Sequence, residues 1–427
     1  MSEFNKTWRR YNLKCTPYFI TPLTIDEGII DLSNFVGRDL EREKLKAIIG
    51  QGAVRCLVVG DPGVGKTSLV NFVRERASKD QYFTPQKEIE INRLVSCNEF
   101  IILTLSAVYE EVIRKGIKLS HELTDDLEAL YSLTQLVEFS NNQTSISHLN
   151  YNKLLSLYKK TIKEIINPRF KGIILHYDNF DNVKNPEDIY KLFGEIRDLL
   201  YSSQDVIFFF VGNRFLPRLV SLQPRVRQVF LMPALEVSAL TLEDTKKILE
   251  KRINNLKIGE SKPVSPHTNK AIEVLFKLHN GNLREILNSL SNCVLELPPT
   301  NSPIQIDDFL VRDLLFKKVE SLYLSKLTEV EKKILFSVID KGLVTPSEIA
   351  DLNKISRQNI SSKYLPKLEK IGTIEFRGKE GRNVFYEINE AIKWWKLKMT
   401  DKERQEIEEK RDKKTLNIIQ NKLNDFI

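Results

Sequence analysis

Histidine, cysteine and methionine are scarce in this chain: 427 residues include five histidines, four cysteines and three methionines. The cysteines (Cys15, Cys56, Cys97 and Cys293) form no C-x-x-C pair, and no Cys/His cluster has zinc spacing. So few histidines argue against a multi-histidine metal centre. No run of about 18 apolar residues occurs, so neither a transmembrane helix nor a membrane partner is expected. The N-terminus lacks the apolar stretch of a signal peptide, and no repeat with a period of about 20–50 residues is found. No Ser/His/Asp or Cys/His arrangement supports hydrolase chemistry through a side-chain nucleophile. The expectation is a soluble, reduced, cytoplasmic protein, nucleoid-associated if it holds DNA.

What is present is an ordinary folded composition, 41% hydrophobic and 29% charged. At roughly 100–200 residues per domain the length suggests about two to four domains. The net charge of +8 and isoelectric point near 9.0 favour a polyanionic partner.

The first 34 residues carry aromatics and prolines and read as an arm packing on the next domain. A helical pattern starts near Phe35. Short apolar runs at Arg55–Val59, Phe100–Leu105, Gly172–Tyr177 and Val206–Val211 read as buried strands separated by helical patterns, giving an α/β domain with a parallel sheet. Residues 106–168 form a mostly helical excursion with a polar loop at Ser140–Thr144. Residues 240–295 show only helical periodicity. After the break at Pro298–Pro303 come three helices, Thr328–Lys341, Pro346–Leu352 and Ser356–Lys370, then a hairpin around Gly378 and Gly381.

Gly60-Asp61-Pro62-Gly63-Val64-Gly65-Lys66-Thr67 matches G-x-x-x-x-G-K-S/T between a buried strand and a helix, where a phosphate cradle must lie. Glycines let backbone N–H groups turn toward phosphate oxygens, and the helix N-terminus adds a positive dipole end. Lys66 is expected on the β/γ-phosphates, the Thr67 hydroxyl on Mg2+, and Ser68 beside them, with ATP and Mg2+ as cofactors. The carboxylate such a site needs is Asp178, at the end of an apolar strand. Asn179 follows it, and an amide cannot take a proton from an attacking water, so slow hydrolysis is expected unless Asp181 substitutes. His176 on that strand reads as a satisfied buried histidine. Asn213, ending another strand, is a candidate for the γ-phosphate or the water; a turn asparagine is the alternative. Arg284, in Gly281-Asn282-Leu283-Arg284, is either a nucleotide contact or a solvated arginine.

These elements in this order resemble the initiator branch of the AAA+ ATPases, the archaeal and eukaryotic origin-recognition ATPases. Phe35-Val36-Gly37-Arg38 is similar to the family's opening box, which implies that Val36 lies near the adenine. Asp178-Asn179-Phe180-Asp181 is similar to its D-E-x-D with Asn for Glu. Asn213 and Arg284 match its two sensors. Arg225-Val226-Arg227-Gln228 is similar to the stretch carrying an arginine finger, implying that Arg225 acts on a neighbouring subunit's ATP and that copies self-associate there; Arg218 and Arg227 are alternatives. The STAND signalling ATPases have a similar core.

Residues 326–398 look like a winged helix-turn-helix, with fifteen Lys and Arg against ten Asp and Glu, a difference of +5. Ser356 is its recognition helix's N-cap candidate. Arg357, Gln358, Ser361, Ser362 and Lys363 are the candidate contacts to double-stranded DNA, and Ile360, Tyr364, Leu365 and Leu368 the core face. At the wing, Arg377, Lys379 and Arg382 would touch backbone or minor groove. Pro366 inside the helix is an anomaly, and a module for protein contacts is the competing reading. Trp394-Trp395 reads as hydrophobic closure. The charged tail is a solvated helix or, through Ile407, Leu416, Ile419 and Leu423, a self-association helix.

The expected fold is therefore an α/β P-loop NTPase core with a parallel sheet, an α-helical lid and a C-terminal winged helix-turn-helix. The expected division is an arm at 1–34, the ATPase core at 35–235, the lid at 236–320, the winged helix at 321–398 and the tail at 399–427. The expected function is an ATP-dependent DNA-binding switch in replication initiation or mobile-element transactions, with a helicase, transposase or nuclease as possible protein partner. The alternatives are a STAND-like signalling or defence ATPase and a DNA-stimulated motor or loader.

Overall fold

The computed structural model describes residues 6–25, 31–91, 95–140, 150–166, 169–180, 183, 186–230, 232–380 and 383–397. Asn141–Thr144 of the polar loop, Asp181, Gly381, Arg382 and the tail lie outside the described residues. The chain divides into two compact units, residues 20–255 and residues 1–19 with 256–427.

In the first unit six parallel strands form one sheet: β1 Arg55–Val59, β2 Tyr82–Phe83, β3 Ile89–Glu90, β4 Gly172–Asp178, β5 Val206–Gly212 and β6 Leu235–Glu236. Strand β5 lies between β1 and β4. Strand β6 pairs with the other side of β1, and β2 and β3 both pair with β4. Helices cover both faces, which is why the strands are continuous apolar runs instead of alternating ones. Cys56, Val58, Ile174, Ile207, Phe209 and Val211 face the helix Lys66–Lys79 and its neighbour Asp39–Gly50. Leu57, Val59, Ile173, Leu175, Tyr177, Phe208 and Phe210 face the opposite layer, built largely from the excursion between β3 and β4.

That excursion overturns one expectation. Phe100–Leu105 is not a strand but the first part of the helix Cys97–Arg114. Ser96 caps it by accepting from Glu99 N. Burial of Phe100, Ile101, Thr104, Leu105, Val108, Tyr109 and Val112 follows a helical face. A six-residue apolar run does not separate a buried strand from a buried helix; the continued 3.6-residue period beyond Leu105 does.

The second unit joins residues 6–19 of the expected arm to the C-terminal part, where packing on the domain next in sequence was expected. Leu13 bridges to Lys257, Lys14 N donates to Leu256 O, and Val264 N donates to Tyr11 O. The buried Tyr18 hydroxyl meets His267 Nδ1 at 2.6 Å. Three helices follow, Asn269–Leu278, Leu283–Glu296 and Asp308–Leu322, capped by Thr268, Asn282 and Asp307. Then come Glu329–Lys341 and Pro346–Asn353, each opened by a capping box (Thr328 with Glu331, Thr345 with Glu348). The next helical stretch is composite: Arg357–Asn359, a π turn at Ile360–Tyr364, and Leu365–Ile371. The π turn accounts for Pro366. Proline has no N–H to give and its ring crowds the carbonyl four residues back; widening the turn before it removes both conflicts. Strands β7 Ile374–Glu380 and β8 Asn383–Ile388 form an antiparallel hairpin with an irregularity between Phe376 and Gly378. Val344 pairs with Tyr386, tying the segment between the two capped helices to β8.

Trp394 and Trp395 close this unit. Trp394 is 4% exposed and its Nε1 donates to Ser289 Oγ at 3.0 Å. Trp395 stacks on Phe316 and Phe336 with centroids 4.9 and 4.8 Å away. Trp394→Ala is expected to lower the unfolding free energy of this unit by about 3–5 kcal/mol. Trp394→Phe, which keeps most of the packing, should cost only about 1–2 kcal/mol. Urea unfolding of the two variants checks this; a Trp394→Ala loss no larger than that of Trp394→Phe would contradict it.

Candidate nucleotide site

The register of β1, β5 and β4 creates the site. Val59 lies opposite Gly212, and Phe210 opposite Tyr177. Gly60, Asn213 and Asp178 therefore stand at one edge of the sheet, at the carboxyl ends of adjacent strands.

Gly60 is required by close packing: a Cβ there would lie 2.4 Å from the Val237 carbonyl oxygen. Gly63 and Gly65 have φ of +83° and +92°, which the turn of the loop demands and which side chains resist. Asp61 and Pro62 form the exposed tip and Val64 packs inward. Gly65 is the N-cap of the 14-residue helix Lys66–Lys79, so its first N–H groups open onto the loop. The Lys66 ammonium is buried and donates to Gly60 O at 2.9 Å and Asp61 O at 3.1 Å. Thr67 Oγ1 donates to Asp178 Oδ2 at 2.5 Å. Asp178 Oδ1 accepts from Asn179 N at 2.6 Å. Burial raises the Asp178 carboxyl to about 6, against the lowering effect of the Thr67 hydrogen bond.

A buried ammonium, a glycine loop at a helix N-terminus and a hydroxyl set on a carboxylate fit a nucleotide polyphosphate with a divalent cation. Lys66 and the loop N–H groups would hold phosphate oxygens. Thr67 and Asp178 would face the cation, which supplies charge neutralisation.

The remaining candidates lie as follows. Val36 lines a cavity of about 390 Å3 with Phe35, Lys247, Glu250, Lys251 and Asn254. Arg38 joins this box to the loop by donating to Val64 O at 2.9 Å while pairing with Glu41. Ser68 Oγ accepts from Leu23 N at 3.0 Å, so its hydroxyl is engaged by the segment before the box. Asn213 Oδ1 accepts from Phe215 N at 2.9 Å, the turn bond of an ordinary asparagine. Arg225, Arg227 and Arg218 are all exposed, Arg225 and Arg227 on the short helix Pro224–Arg227, so exposure does not single one out. Arg284 is exposed at the second position of its helix. Arg357, Gln358, Ser361, Ser362 and Lys363 are exposed, whereas Ile360, Leu365 and Leu368 are buried and Tyr364 half-buried. Ser356 caps as expected, accepting from Asn359 N. Ser362 Oγ donates back to Gln358 O. Arg377 pairs with Glu387 at 3.0 Å and Glu375 at 3.7 Å. Lys379 lies on β7.

Two features escape the sequence. Arg214, next to Asn213, pairs with Asp61 of the loop at 3.2 Å and with Glu236 at 3.4 Å. Arg74 is fully buried and donates to Asn71 Oδ1, Thr84 Oγ1 and Gln86 O, with His176 Nδ1 at 2.8 Å. His176 is buried as expected, with Nδ1 engaged by Arg74 and Asn71, but it is satisfied only on that side: its buried Nε2 has no hydrogen-bond partner.

Residues 34–161 match the model of the AAA ATPase domain. The match spans the opening box and the P-loop and ends before Asp178. Among solved structures the chain is similar to Aeropyrum pernix ORC2 in its ADPNP–ADP complexes (14% identity, 89% of this chain and 96% of that one, TM-score 0.49). It is also similar to Cdc6p from Pyrobaculum aerophilum (15%, 88% and 95%, 0.44) and to Aeropyrum pernix ORC1 in complex with DNA (16%, 84% and 90%, 0.43). The curated proteins contain no match to this sequence. Among the described residues no helix is long and apolar enough to cross a membrane.

The Asp178 environment has a consequence for stability. Its folded value near 6 exceeds the ordinary 3.8, so ionisation there opposes folding by on the order of 2–3 kcal/mol above that pH. The cost fades as pH falls through 6 and is absent below 3.8. Metal-free Asp178→Asn should therefore melt no lower than the parent at alkaline pH, any advantage shrinking in acid, while losing the stabilisation that Mg2+–ATP gives the parent. Thermal melts across pH test both halves; a variant that melts lower without metal and still gains from Mg2+–ATP contradicts them.

Proposed function

We propose that this chain is an ATP-controlled DNA-binding switch of the AAA+ initiator type. ATP and Mg2+ occupy the Gly60–Ser68 loop with Thr67 and Asp178. The DNA-binding part is the helix–helix–helix–hairpin module of residues 329–388, read as a winged helix. The observation that carries the DNA reading is its third helical stretch. Arg357, Gln358, Ser361, Ser362 and Lys363 stand exposed on it while Ile360, Leu365 and Leu368 are buried, the two-faced arrangement of a helix that reads a groove. Asn213, Arg284 and, from a neighbouring copy, Arg225 are the candidate sensors of the γ-phosphate. Replication initiation or a mobile-element transaction suits such a switch, as does a protein partner such as a helicase, transposase or nuclease.

Hydrolysis is slow in this reading. Asn179 has φ of +68°, a left-handed backbone that asparagine tolerates better than glutamate. Its N–H serves Asp178, and its amide cannot accept a proton. ATP occupancy then matters more than turnover. Asn179→Glu is expected to raise phosphate release by about tenfold or more, the gain held down by the backbone cost of glutamate there. An unchanged rate removes Asn179 from the account.

One observation favours a second reading, a signalling ATPase whose module makes protein contacts: on the hairpin, Arg377 is paired with carboxylates and Phe376 is 52% exposed. Fluorescence anisotropy of a labelled duplex with no nucleotide, ADP–Mg2+ and ATP–Mg2+, at two salt concentrations, separates the two. The initiator reading expects salt-sensitive binding that changes with nucleotide. It expects Arg357→Ala with Lys363→Ala to flatten the salt slope by roughly one per lost phosphate contact, and Arg377→Ala to do less. No binding in any state puts the signalling reading first.

A further inference from the structure

We propose that His176 is a positioning residue for Asp178: Arg74 fixes its tautomer, and its Nε2–H holds the carboxylate that faces the cation. This rests on the reading of Asp178 as that carboxylate.

Arg74 anchors the network. Its guanidinium has only donors, and it is spent wholly inside the protein. Nε donates to Thr84 Oγ1 at 3.0 Å, Nη2 to the carbonyls of Pro85 and Gln86, and Nη1 to Asn71 Oδ1 at 3.1 Å. Asn71 is itself oriented, because its Nδ2 donates to Leu23 O at 3.1 Å and to Glu88 Oε2 at 3.4 Å. Arg74 Nη1 also lies 2.8 Å from His176 Nδ1. Nδ1 also lies 3.2 Å from Asn71 Oδ1, an acceptor, but the Arg74 nitrogen is nearer and cannot accept, so we assign the lone pair to Nδ1 and the ring proton to Nε2.

The Nε2–H so defined is buried without a hydrogen-bond partner. It lies 3.6 Å from Asp178 Oδ2, the oxygen that also receives the Thr67 hydroxyl. An unpaired buried N–H next to a carboxylate is costly unless it serves that carboxylate. At 3.6 Å the contact is electrostatic, an N–H dipole facing a carboxylate oxygen just outside hydrogen-bond range. The relation is that of an outer group orienting an inner one at a cation site, with Arg74 one step further out. Arg74 also fastens residues 84–86 to the helix that begins at the P-loop, so the same network couples Asp178 to that segment.

The test uses the full chain and a fluorescent ADP analogue, titrated with Mg2+ and also bound without it. His176→Phe should raise the half-saturating Mg2+ concentration about tenfold and leave Mg2+-free nucleotide affinity unchanged. His176→Gln, which places an amide N–H near the position of Nε2–H, should restore most of the loss. An unchanged Mg2+ requirement in His176→Phe overturns the proposal. Should that variant not fold, the nitrogen spectrum of 15N-histidine-labelled parent decides, with the His176 signal identified by its loss in His176→Gln: a proton on Nε2 alone supports the proposal, and a proton on Nδ1 overturns it. A parent whose nucleotide binding ignores Mg2+ removes the Asp178 reading and this proposal together. A parent that responds to Mg2+ beside a His176→Phe variant that responds equally removes this proposal alone.

Discussion

A hydroxyl from the first turn of the helix Lys66–Lys79 and a carboxylate from the end of β4 meet across the strand between them, Thr67 Oγ1 donating to Asp178 Oδ2. That contact needs β5 inserted between β1 and β4, all three strands parallel, and their carboxyl ends level. It needs Gly60, because any Cβ would strike Val237. It also needs the sheet covered on both faces, so that Asp178 is buried enough for its charge to be costly until a cation arrives. The apolar strands, the helix Lys66–Lys79 and the excursion packed on the opposite face together place one hydroxyl and one carboxylate within hydrogen-bond distance.

Much of this was legible in the residues because the determinants are local. A glycine loop between an apolar run and a helical pattern reads as a phosphate cradle whatever surrounds it. The runs ending at Asp178 and near Asn213 carry their polar residue at the strand end. Ser356 was legible as a cap by its position before a helical pattern. Phe100–Leu105 was not legible as helix from its own six residues; the period shows only when residues as far as Val112 are included.

Other features depend on partners distant in sequence. Arg74 and His176 are 102 positions apart, and nothing in either neighbourhood announces a fully buried guanidinium on a histidine ring. Ser68 looked like part of the cradle, yet its hydroxyl receives Leu23 N. Arg377 looked like a phosphate contact, yet hairpin pairing sets it beside Glu387, and Glu375 lies two residues away on its own strand. Asn179 was visible as a substitution, whereas its left-handed backbone, which suits asparagine, was visible only in the fold. Packing of the tryptophans followed expectation, since two adjacent large apolar residues have few other uses in a charged segment.

A cation-dependent nucleotide site built from Lys66, Thr67 and Asp178 underlies every role proposed for this chain. Isothermal titration of ATP into the parent and into Thr67→Ala, with and without Mg2+, tests it most directly. The parent is predicted to bind ATP and to gain affinity with Mg2+, and Thr67→Ala to bind ATP but lose that gain. A parent that binds no ATP, or a Thr67→Ala variant that keeps the full Mg2+ response, would contradict the account.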